Sequence, residues 1–408
     1  MGWFRSAVVQ GLDRITDAGR RRAVRTLERG GTTTAIHPTG TEVVQFASND
    51  YLGLATHRAV AAAAASAAVE HGTGSGASRL IVGSRAIHDQ LEAELAAWKG
   101  PLVAPDARAL LFPTGYAANL GVLGTIAVAG GSDDTVVLSD ELNHASIIDG
   151  ARLSRLAIDI YPHRDLEELD RRLTHRSRRR AVVVSDLVFS MDGDVAAADE
   201  LSALCARHDA LLVLDIAHDV FCESSRLDPS ADVLLVGTLS KTLGSLGGFV
   251  IGSGSAVDLL VNTARSFIFS TATAPPAAAA ALAALDILRS EEGTDLVGRL
   301  RGNVDRLRPG NPSAILPVIL GSEQRAMQVS AGLLDRGLLV PAIRPPTVAP
   351  GSSRLRVAVS AAHSADDLDR LATALDELGV PIDGPVPVGA GGSVAGGPGT
   401  ARPPAAHP

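Results

Sequence analysis

The feature that most restricts the fold of this chain is a series of short apolar runs that alternate with helical stretches between residues 108 and 252. The runs predict strands at 108–112, 135–139, 157–161, 181–188, 211–216, 233–237 and 248–252. The stretches between them predict helices at 116–128, 144–154, 165–173 and 199–208. Continuous apolar runs bounded by turns are typical of strands that are covered on both faces. The series therefore predicts an α/β fold, with a mainly parallel central sheet flanked by helices and right-handed crossovers.

The regions outside this series predict an arm before the sheet and a smaller domain after it. Residues 1–30 have the pattern of an amphipathic helix with a basic end, and we take 1–55 as an N-terminal arm. Helices at 58–70 and 86–98 then begin a large domain that we place at 56–290. After Pro276 the pattern predicts a smaller α+β C-terminal domain at 291–380, with helices at 277–291, 295–308, 323–336 and 364–378 and extended segments at 313–320 and 354–360. From 381 to 408 the chain is mostly Gly, Pro, Ala and Val, which predicts a disordered tail.

Composition argues against several classes of protein. The net charge of −8 comes from interleaved acidic and basic residues, without the basic stripe that nucleic acid requires. Cys205 and Cys222 form neither a disulfide framework nor a zinc spacing, and no cluster predicts a metal site. The first residues have no apolar leader, and no run reaches the roughly 18 uncharged apolar residues that span a bilayer. We therefore expect a cytoplasmic protein that binds neither nucleic acid nor membrane.

The most informative short stretch is 237–248, in which Lys241 lies among hydroxyl groups and glycines directly after the apolar run 233–236. A lysine at this place has three interpretations: a surface residue, a phosphate-binding lysine of a P-loop, or a Schiff-base lysine. The P-loop motif requires a glycine before the lysine, but Ser240 occupies that position. A Schiff-base lysine must lose its proton near neutral pH, which apolar surroundings favour.

Asp215 ends the apolar run 210–214 and needs a cation, because an unpaired carboxylate at the end of a buried strand is costly. A helix N-cap and a pair with an arginine are the structural alternatives. A protonated pyridine nitrogen is the functional one, since a carboxylate that keeps the ring protonated makes it an electron sink. At about 3 Å and an effective dielectric constant of about 20, the gross attraction is on the order of 5 kcal/mol.

Further polar residues follow other strands of the predicted sheet, at the edge where α/β proteins bind ligands. His144 begins a helix where its ring is able to stack on a cofactor, and His218 lies three residues after Asp215. Gly115 and Tyr116 open a helix, whose free N–H groups suit a phosphate. Each residue alone is weak evidence, but their order on successive strand ends is strong. The remaining candidates are Ser190, Thr238, Ser270 and Thr271.

These stretches resemble the α-oxoamine synthase family of fold-type I pyridoxal-phosphate (PLP) enzymes over residues 1–380. The resemblance rests on long blocks: FASNDYLGL at 46–54, FPTGYAANLG at 112–121, DELNHASIIDGARLS at 140–154, VFSMDGD at 188–194, GTLSKTLGSLGG at 237–248 and IRPPTVAPGSSRLRV at 343–357. Within the family, the block from Ile343 to Val348 resembles the biotin-pathway branch most closely. The resemblance implies the fold-type I transferase architecture and pyridoxal 5'-phosphate as the cofactor.

The resemblance also implies a role for each candidate residue. Lys241 binds the cofactor aldehyde and later moves protons at the amino-acid α-carbon. Asp215 pairs with the pyridinium, His144 stacks on the ring, and His218 with Ser190 contacts the phenolic oxygen. The phosphate is held by Gly115, Tyr116 and Thr238, together with Ser270 and Thr271 of a second subunit. The substrate residues are Arg356 for the amino-acid carboxylate, Asn49 near the substrate, and Arg21 of the basic arm for the acyl substrate.

The implied activity is a decarboxylative condensation of an amino acid, best L-alanine, with an acyl thioester, best a pimeloyl thioester of coenzyme A or acyl carrier protein, by a homodimer. Two alternatives stay open. One is a synthase of specialised metabolism with another acyl donor or amino acid, and the other is a catalytically impaired homologue that serves as a binding partner.

The sequence departs from the family pattern between Asp215 and Lys241. Ile216 stands where the family usually has an acidic residue, and the glycine-rich stretch that normally follows the histidine is absent after His218. Asp215 and Lys241 are 26 positions apart, several fewer than the family usually shows. This departure leaves the cofactor residues in place but bears on the choice of acyl donor.

Overall fold

The structure is a computed structural model that describes residues 2–37, 39–221 and 227–382. The chain begins with a helix and three short strands: α1 (Trp3–Asp17), β1 (Thr26–Leu27), β2 (Thr33–His37) and β3 (Thr41–Gln45). The α/β series follows: α2 (Arg58–His71), α3 (Ala86–Lys99), β4 (Arg108–Phe112), α4 (Gly115–Gly130), β5 (Thr135–Asp140), α5 (Ala145–Ser154), β6 (Ala157–Tyr161), α6 (Leu166–His175), β7 (Arg180–Asp186), α7 (Ala198–Arg207), β8 (Ala210–Asp215), β9 (Val233–Thr238) and β10 (Gly248–Gly252).

The rest of the described chain is richer in helices: α8 (Gly254–Thr263), α9 (Arg265–Ile268), α10 (Pro275–Leu288), α11 (Glu291–Leu307), β11 (Ile315–Gly321), α12 (Glu323–Leu334), β12 (Leu338–Leu339), β13 (Ala342–Ile343), β14 (Ser353–Ala358) and α13 (Ala365–Glu377). None of the described helices is both long and apolar enough to cross a membrane.

The seven strands predicted between 108 and 252 form one sheet in the order β4-β10-β9-β8-β7-β5-β6. Strand β10 runs antiparallel to β4 and β9, and the other pairs are parallel. The prediction of a mainly parallel sheet is therefore confirmed.

Both faces of this sheet are buried, which explains why its strands are continuously apolar. Alternate residues of one strand enter different cores: Leu212 and Leu214 of β8 pack on one face, and Val213 packs on the other. At their carboxyl ends the strands change to polar residues. Strands β5, β7, β8 and β9 end in Asp140, Asp186, Asp215 and Thr238.

The described chain has two smaller sheets, one of which joins its first strands to a later one. One has the order β1-β2-β3-β12, where β3 pairs in parallel with β12, and the other has the order β11-β14-β13. The segment before the large sheet is thus hydrogen-bonded to the segment after it. The division into domains at 1–55, 56–290 and 291–380 stays a prediction.

Two of the sequence predictions need correction. The helix expected over 1–30 ends at Asp17, because the chain turns at Gly19 with a positive φ of 64° and then forms β1. The disordered tail expected from 381 is wrong at residue 382, since Ile382 is buried and its carbonyl accepts hydrogen bonds from Arg308. Residues 383–408 and Cys222 lie outside the described part of the chain.

Candidate active site

Lys241 lies in a tight turn between β9 and β10, close to the carboxyl end of the sheet. The turn is closed by hydrogen bonds from Leu239 N to Gly247 O and from Ser245 N to Leu239 O. Gly244 has a φ of +56°, and a Cβ there would lie 2.3 Å from Ala55 N, so only glycine fits this close approach. The turn aims Lys241 at His218, with 2.8 Å between Nζ and Nε2.

The surroundings of Lys241 favour its neutral amine. Burial is the largest effect and lowers the pKa of Lys241 to about 8, with a smaller contribution from Arg356. The charges of Asp215 and Asp186 oppose this shift but do not cancel it. An amine with this pKa is partly unprotonated at neutral pH, as a nucleophile requires.

His218 follows β8 and is buried between Lys241 and a tyrosine that the sequence analysis did not single out. The Nδ1 atom of His218 lies 2.6 Å from the hydroxyl of Tyr51, which is fully buried. Burial, followed by the positive charges of Lys241, Arg356 and His144, holds the pKa of His218 well below its usual value. His218 is therefore a neutral imidazole at neutral pH.

The hydrogen-bond chain continues from Tyr51 to the arginine that was predicted to bind the substrate carboxylate. The Oδ1 atom of Asn49 accepts from Tyr51 at 3.3 Å and from Arg356 at 3.0 Å. Arg356, which is buried on β14, also donates through Nε to the carbonyl of Ser190. The structure thus brings Asn49, Ser190, His218, Lys241 and Arg356 together.

Asp215 is fixed at the end of β8 by two hydrogen-bond donors. Its Oδ2 accepts from Asn119 at 2.7 Å, and its Oδ1 accepts from the backbone of Ala217 at 2.9 Å. Asp186 is its register partner on β7, so two buried carboxyl groups lie side by side. Burial, with the charge of Asp215 next, raises the pKa of Asp186 well above its usual value. Of the two carboxyl groups, Asp186 is thus the one whose ionisation is disfavoured.

The position of His144 is fixed by hydrogen bonds of its backbone and of its ring. It is the N-cap of α5, and its Nδ1 accepts from Ser146 N and lies 2.7 Å from Ser146 Oγ. The backbone N–H of His144 donates to Oδ2 of Asp186 at 2.8 Å. His144 as a residue is exposed, which leaves it accessible to a stacked cofactor ring, although burial of the imidazole lowers the pKa of His144.

Gly115 and Thr238 form a narrow cradle at the start of α4. A Cβ on Gly115 would lie 3.3 Å from Thr238 Cβ, so a side chain there would fill the space. The first N–H groups of a helix have no partner inside it, and they suit a phosphate. With the amine of Lys241, the carboxylate of Asp215 and the open face of His144, this donor set fits pyridoxal phosphate.

Four predicted residues have other surroundings. Tyr116 is exposed and donates to Asp149, and Thr271 forms an isolated β-bridge with Ser78 next to the half-buried Ser270. Arg21 is exposed on the arm, between Arg20, which pairs with Glu323, and Arg22, which reaches Thr347 at 3.5 Å. The roles implied for Tyr116, Ser270, Thr271 and Arg21 stay predictions.

Three residues of the site were missed. Asp186 ends a buried strand as Asp215 does, so the same argument would have found it. Asn119 lies one helical turn after Gly115 on α4, where it faces the same side. Tyr51 follows Asn49 by two residues in the FASNDYLGL block, but nothing in its local sequence predicts its contact with His218.

The departure at Ile216 now has a structural description. Its side chain is 8% exposed and joins the main apolar core, and its N–H donates to the carbonyl of Val236. Asp219 follows in an ion pair with Lys99, 3.4 Å between Nζ and Oδ2. The chain after His218 is thus anchored in the core as far as the described residues extend.

Comparisons with known proteins show to which family the chain is similar. The model of the aminotransferase class I and II family matches residues 41–375. An 8-amino-7-oxononanoate synthase of Anaeromyxobacter dehalogenans is 47% identical over 82% of this chain and 86% of its own, and one of Bordetella petrii is 45% identical over 83% and 89%.

Among solved structures, a serine palmitoyltransferase of S. paucimobilis with a bound PLP–myriocin aldimine superposes with a TM-score of 0.82. It is 27% identical, and the match covers 93% of this chain and all of that one. Because the family model and the relatives each cover most of the chain, the chain belongs to the aminotransferase class I and II family and, within it, to the α-oxoamine synthases.

Proposed function

We propose that this protein catalyses the PLP-dependent condensation of L-alanine with a pimeloyl thioester, which gives 8-amino-7-oxononanoate, CO₂ and the free thiol carrier. The observation that carries the proposal is the contact of the Lys241 amine with His218, beside the charged Asp215. The relatives at 45–47% identity carry the name of this activity.

Lys241, Asp215, His144 and Gly115 would hold the cofactor at the aldehyde, the pyridine nitrogen, one ring face and the phosphate. When bound, the cofactor supplies an electron sink for the carbanion at the amino-acid α-carbon. Asn119 and Ala217 fix both oxygens of Asp215, so this carboxylate would face the ring nitrogen in one orientation. The raised pKa of Asp186 disfavours a second negative charge beside it.

Lys241 has the properties of the group that moves the α-proton. Its pKa of about 8 lies close to neutral pH, where a general base is most effective. His218 lies 2.8 Å from the amine and keeps it directed into the site. The Lys241 amine would take the proton from the alanine α-carbon.

Arg356 would bind the alanine carboxylate, since a guanidinium binds a carboxylate through two parallel hydrogen bonds. Asn49 and the Ser190 carbonyl hold the guanidinium in place from two sides. For the acyl thioester we propose Arg21, because the neighbouring Arg20 and Arg22 attach the arm to Glu323 and Thr347. Either coenzyme A or acyl carrier protein serves as the carrier in this proposal.

We also propose that the enzyme acts as a homodimer in the cytoplasm, where acyl thioesters are made and used. Leu80, Ile81, Val82 and Phe269 are exposed by 49, 73, 68 and 70%, and the Ser78–Thr271 bridge brings their segments together. An apolar patch of this kind favours contact with a second copy of the chain. Ser270 and Thr271 are next to it, which supports their role in the partner's phosphate site.

A second candidate function follows from Ile216 and the short stretch before Lys241, which favour an α-oxoamine synthase with another acyl donor. The test is to incubate the full chain and PLP with ¹³C-labelled L-alanine and pimeloyl-CoA, and to identify the product by mass spectrometry. We expect the labelled amino-oxo acid together with CO₂ and free coenzyme A. Glycine, L-serine and thioesters of other chain lengths are run in parallel, and turnover only with one of them supports the second candidate. If no combination of amino acid and thioester gives a product, the proposed function fails and the catalytically impaired homologue becomes the favoured interpretation.

A further inference from the structure

His163, Asp140 and Asp194 form a hydrogen-bonded cluster that the proposed mechanism does not use. His163 follows β6 in a turn where Arg164 has a positive φ of 58°. The side chain of His163 is 19% exposed, and its ring meets Phe189 edge to face with 4.3 Å between centroids. The imidazole thus lies between the segments that follow β5 and β7.

Both ring nitrogens of His163 face carboxylate oxygens. Nδ1 lies 2.9 Å from Asp140 Oδ1, and Nε2 lies 2.7 Å from Asp194 Oδ2. An ionised carboxylate only accepts hydrogen bonds, so both nitrogens must donate. A neutral imidazole has one N–H, and therefore only the imidazolium satisfies both contacts.

Each of the two aspartates orders a segment that carries site residues, Asp140 through its carboxylate and Asp194 through its backbone carbonyl. Asp140 also accepts from the backbone of Leu142 and Arg164, and the chain reaches His144 four residues later. The backbone of Asp194 accepts from Phe189 N, which closes the turn that holds Ser190. Ser190 in turn accepts from the guanidinium of Arg356.

We propose that His163 is a positioning residue whose imidazolium clamps the His144 segment to the Ser190 turn, and so sets the distance between the cofactor face and the carboxylate-binding arginine. Loss of its proton leaves one of the two bridges without a donor and loosens the site. The positioning role rests on the proposed function, whereas the double ionic bridge itself does not.

The charges around His163 are consistent with a stable imidazolium. Burial alone would lower the pKa of His163, but the hydrogen bonds and charges of Asp140 and Asp194 outweigh it and raise the pKa to about 9. The other charged or titratable groups at the cluster are Arg164, which donates to Asp194, Glu141, which accepts from His163 N, and Tyr161, which lies near Asp140. The clamp is therefore closed at neutral pH and opens as the pH rises through about 9.

The first experiment is ¹⁵N NMR of the full chain labelled at histidine, with the His163 signals assigned by their loss in His163→Gln. We expect both ring nitrogens to carry hydrogen at pH 7.5 and to titrate near pH 9. A His163 ring with one N–H at pH 7.5 would overturn the proposal. This readout needs no cofactor, so it stays valid if the protein binds no PLP and the proposed function fails.

The second experiment measures the visible circular dichroism of bound PLP and the KM for alanine between pH 7 and 10. In the wild type the signal should change with a midpoint near 9, and in His163→Gln it should already be changed at pH 7.5, with KM raised about tenfold and no alkaline transition. His208→Gln is the matched control, because His208 has the same 19% exposure and pairs with Asp170 away from the site. A lower melting temperature in His163→Gln with wild-type dichroism, KM and alkaline transition would make His163 merely structural.

Discussion

The sequence contains two lysines, Lys99 and Lys241, and the structure surrounds them differently. Lys99 is 6% exposed at the end of α3, with its Nζ 3.4 Å from Asp219 and 4.7 Å from the centre of the Trp98 ring. Lys241 is also shielded, but no ion pair of Lys241 is present in the described part of the chain, and its nearest partner is the neutral His218. A carboxylate thus compensates one lysine directly, and the other lacks such compensation.

This difference distinguishes a buried lysine with a structural role from a buried lysine that is available as a nucleophile. A close carboxylate favours the ammonium form of Lys99 through the ion pair with Asp219. Burial without a close counter-ion lowers the pKa of Lys241 to about 8 and makes a nucleophile available. The folded protein tolerates the resulting cost in stability because the site needs a neutral amine.

The largest effect that we expect is the loss of activity in Lys241→Met. Without its amine the chain lacks both the attachment point and the proton-transfer group, so kcat/KM should fall by at least about 10⁴-fold. Lys99→Met, assayed in parallel, should keep kcat/KM within about twofold of the wild type. Equal losses in the two variants would remove the distinction between the lysines.

The next largest effect should follow from Asp215→Asn, which removes the charge that faces the site and keeps the shape. Because a neutral amide does not stabilise a protonated ring nitrogen, kcat should fall by about 10²–10³-fold. Asp219→Asn removes the counter-ion of Lys99 instead, and its kcat should stay close to the wild type. Steady-state kinetics on PLP-saturated protein compares the two, and an active Asp215→Asn would refute the assignment of Asp215.

The free energy of unfolding should respond in the opposite way: Lys99→Met should destabilise the protein, whereas Lys241→Met should not. Lys99→Met removes the ammonium from the buried pair with Asp219, and the loss of such a pair lowers the free energy of unfolding by about 2–4 kcal/mol. Urea unfolding of the wild type and of Lys99→Met at pH 7 measures this change in the free energy of unfolding. An unchanged midpoint would mean that the Lys99–Asp219 pair contributes nothing to the fold.

Lys241→Met should instead stabilise the cofactor-free protein at pH 7. The pKa of Lys241 is about 8 in the folded state and close to the ordinary lysine value of 10.5 in the unfolded state. The ammonium is therefore destabilising below pH 8, and the cost disappears as the pH rises from 8 to 10.5. We expect a gain of about 1–3 kcal/mol at pH 7 that vanishes by pH 10.5. A destabilised variant at pH 7 would contradict this account of Lys241.

The smallest effect that we expect is on the KM for the acyl thioester. It compares two arginines of the arm, one with an ion pair and one without, among the described residues. Arg20 is paired with Glu323, whereas in the described residues Arg21 makes no ion pair. Arg21→Ala should raise the KM for the acyl thioester by about three- to tenfold, since a single exposed charge contact is weak. Arg20→Ala should leave that KM nearly unchanged. If Arg20→Ala has the larger effect on KM, the acyl contact belongs to Arg20.

Most of the large sheet could be predicted because it is buried on both faces. Continuous apolar runs such as 211–216 then allow no other position, and the strand at Ala210–Asp215 differs from the prediction by one residue at each end. The helix over 1–30 was wrong because α1 contacts no core, so its length depends on local turns such as that at Gly19.

The site was predictable where a residue ends a strand or begins a helix, as at Asp215, His144 and Lys241. It was not predictable where side chains meet across long sequence separations. Tyr51 and His218 are 167 positions apart, and no local pattern indicates that the hydroxyl reaches the imidazole. The double bridge of His163 is of the same kind, since Asp140 ends β5 and Asp194 lies in the turn that follows β7.

The most direct test of the central claim is to find which lysine reacts with the cofactor. The full chain is loaded with PLP, reduced with sodium borohydride, digested and mapped by mass spectrometry. We predict a pyridoxyl label on the peptide that contains Lys241 and none on the peptide that contains Lys99. A label on Lys99, or on neither lysine, would contradict the account.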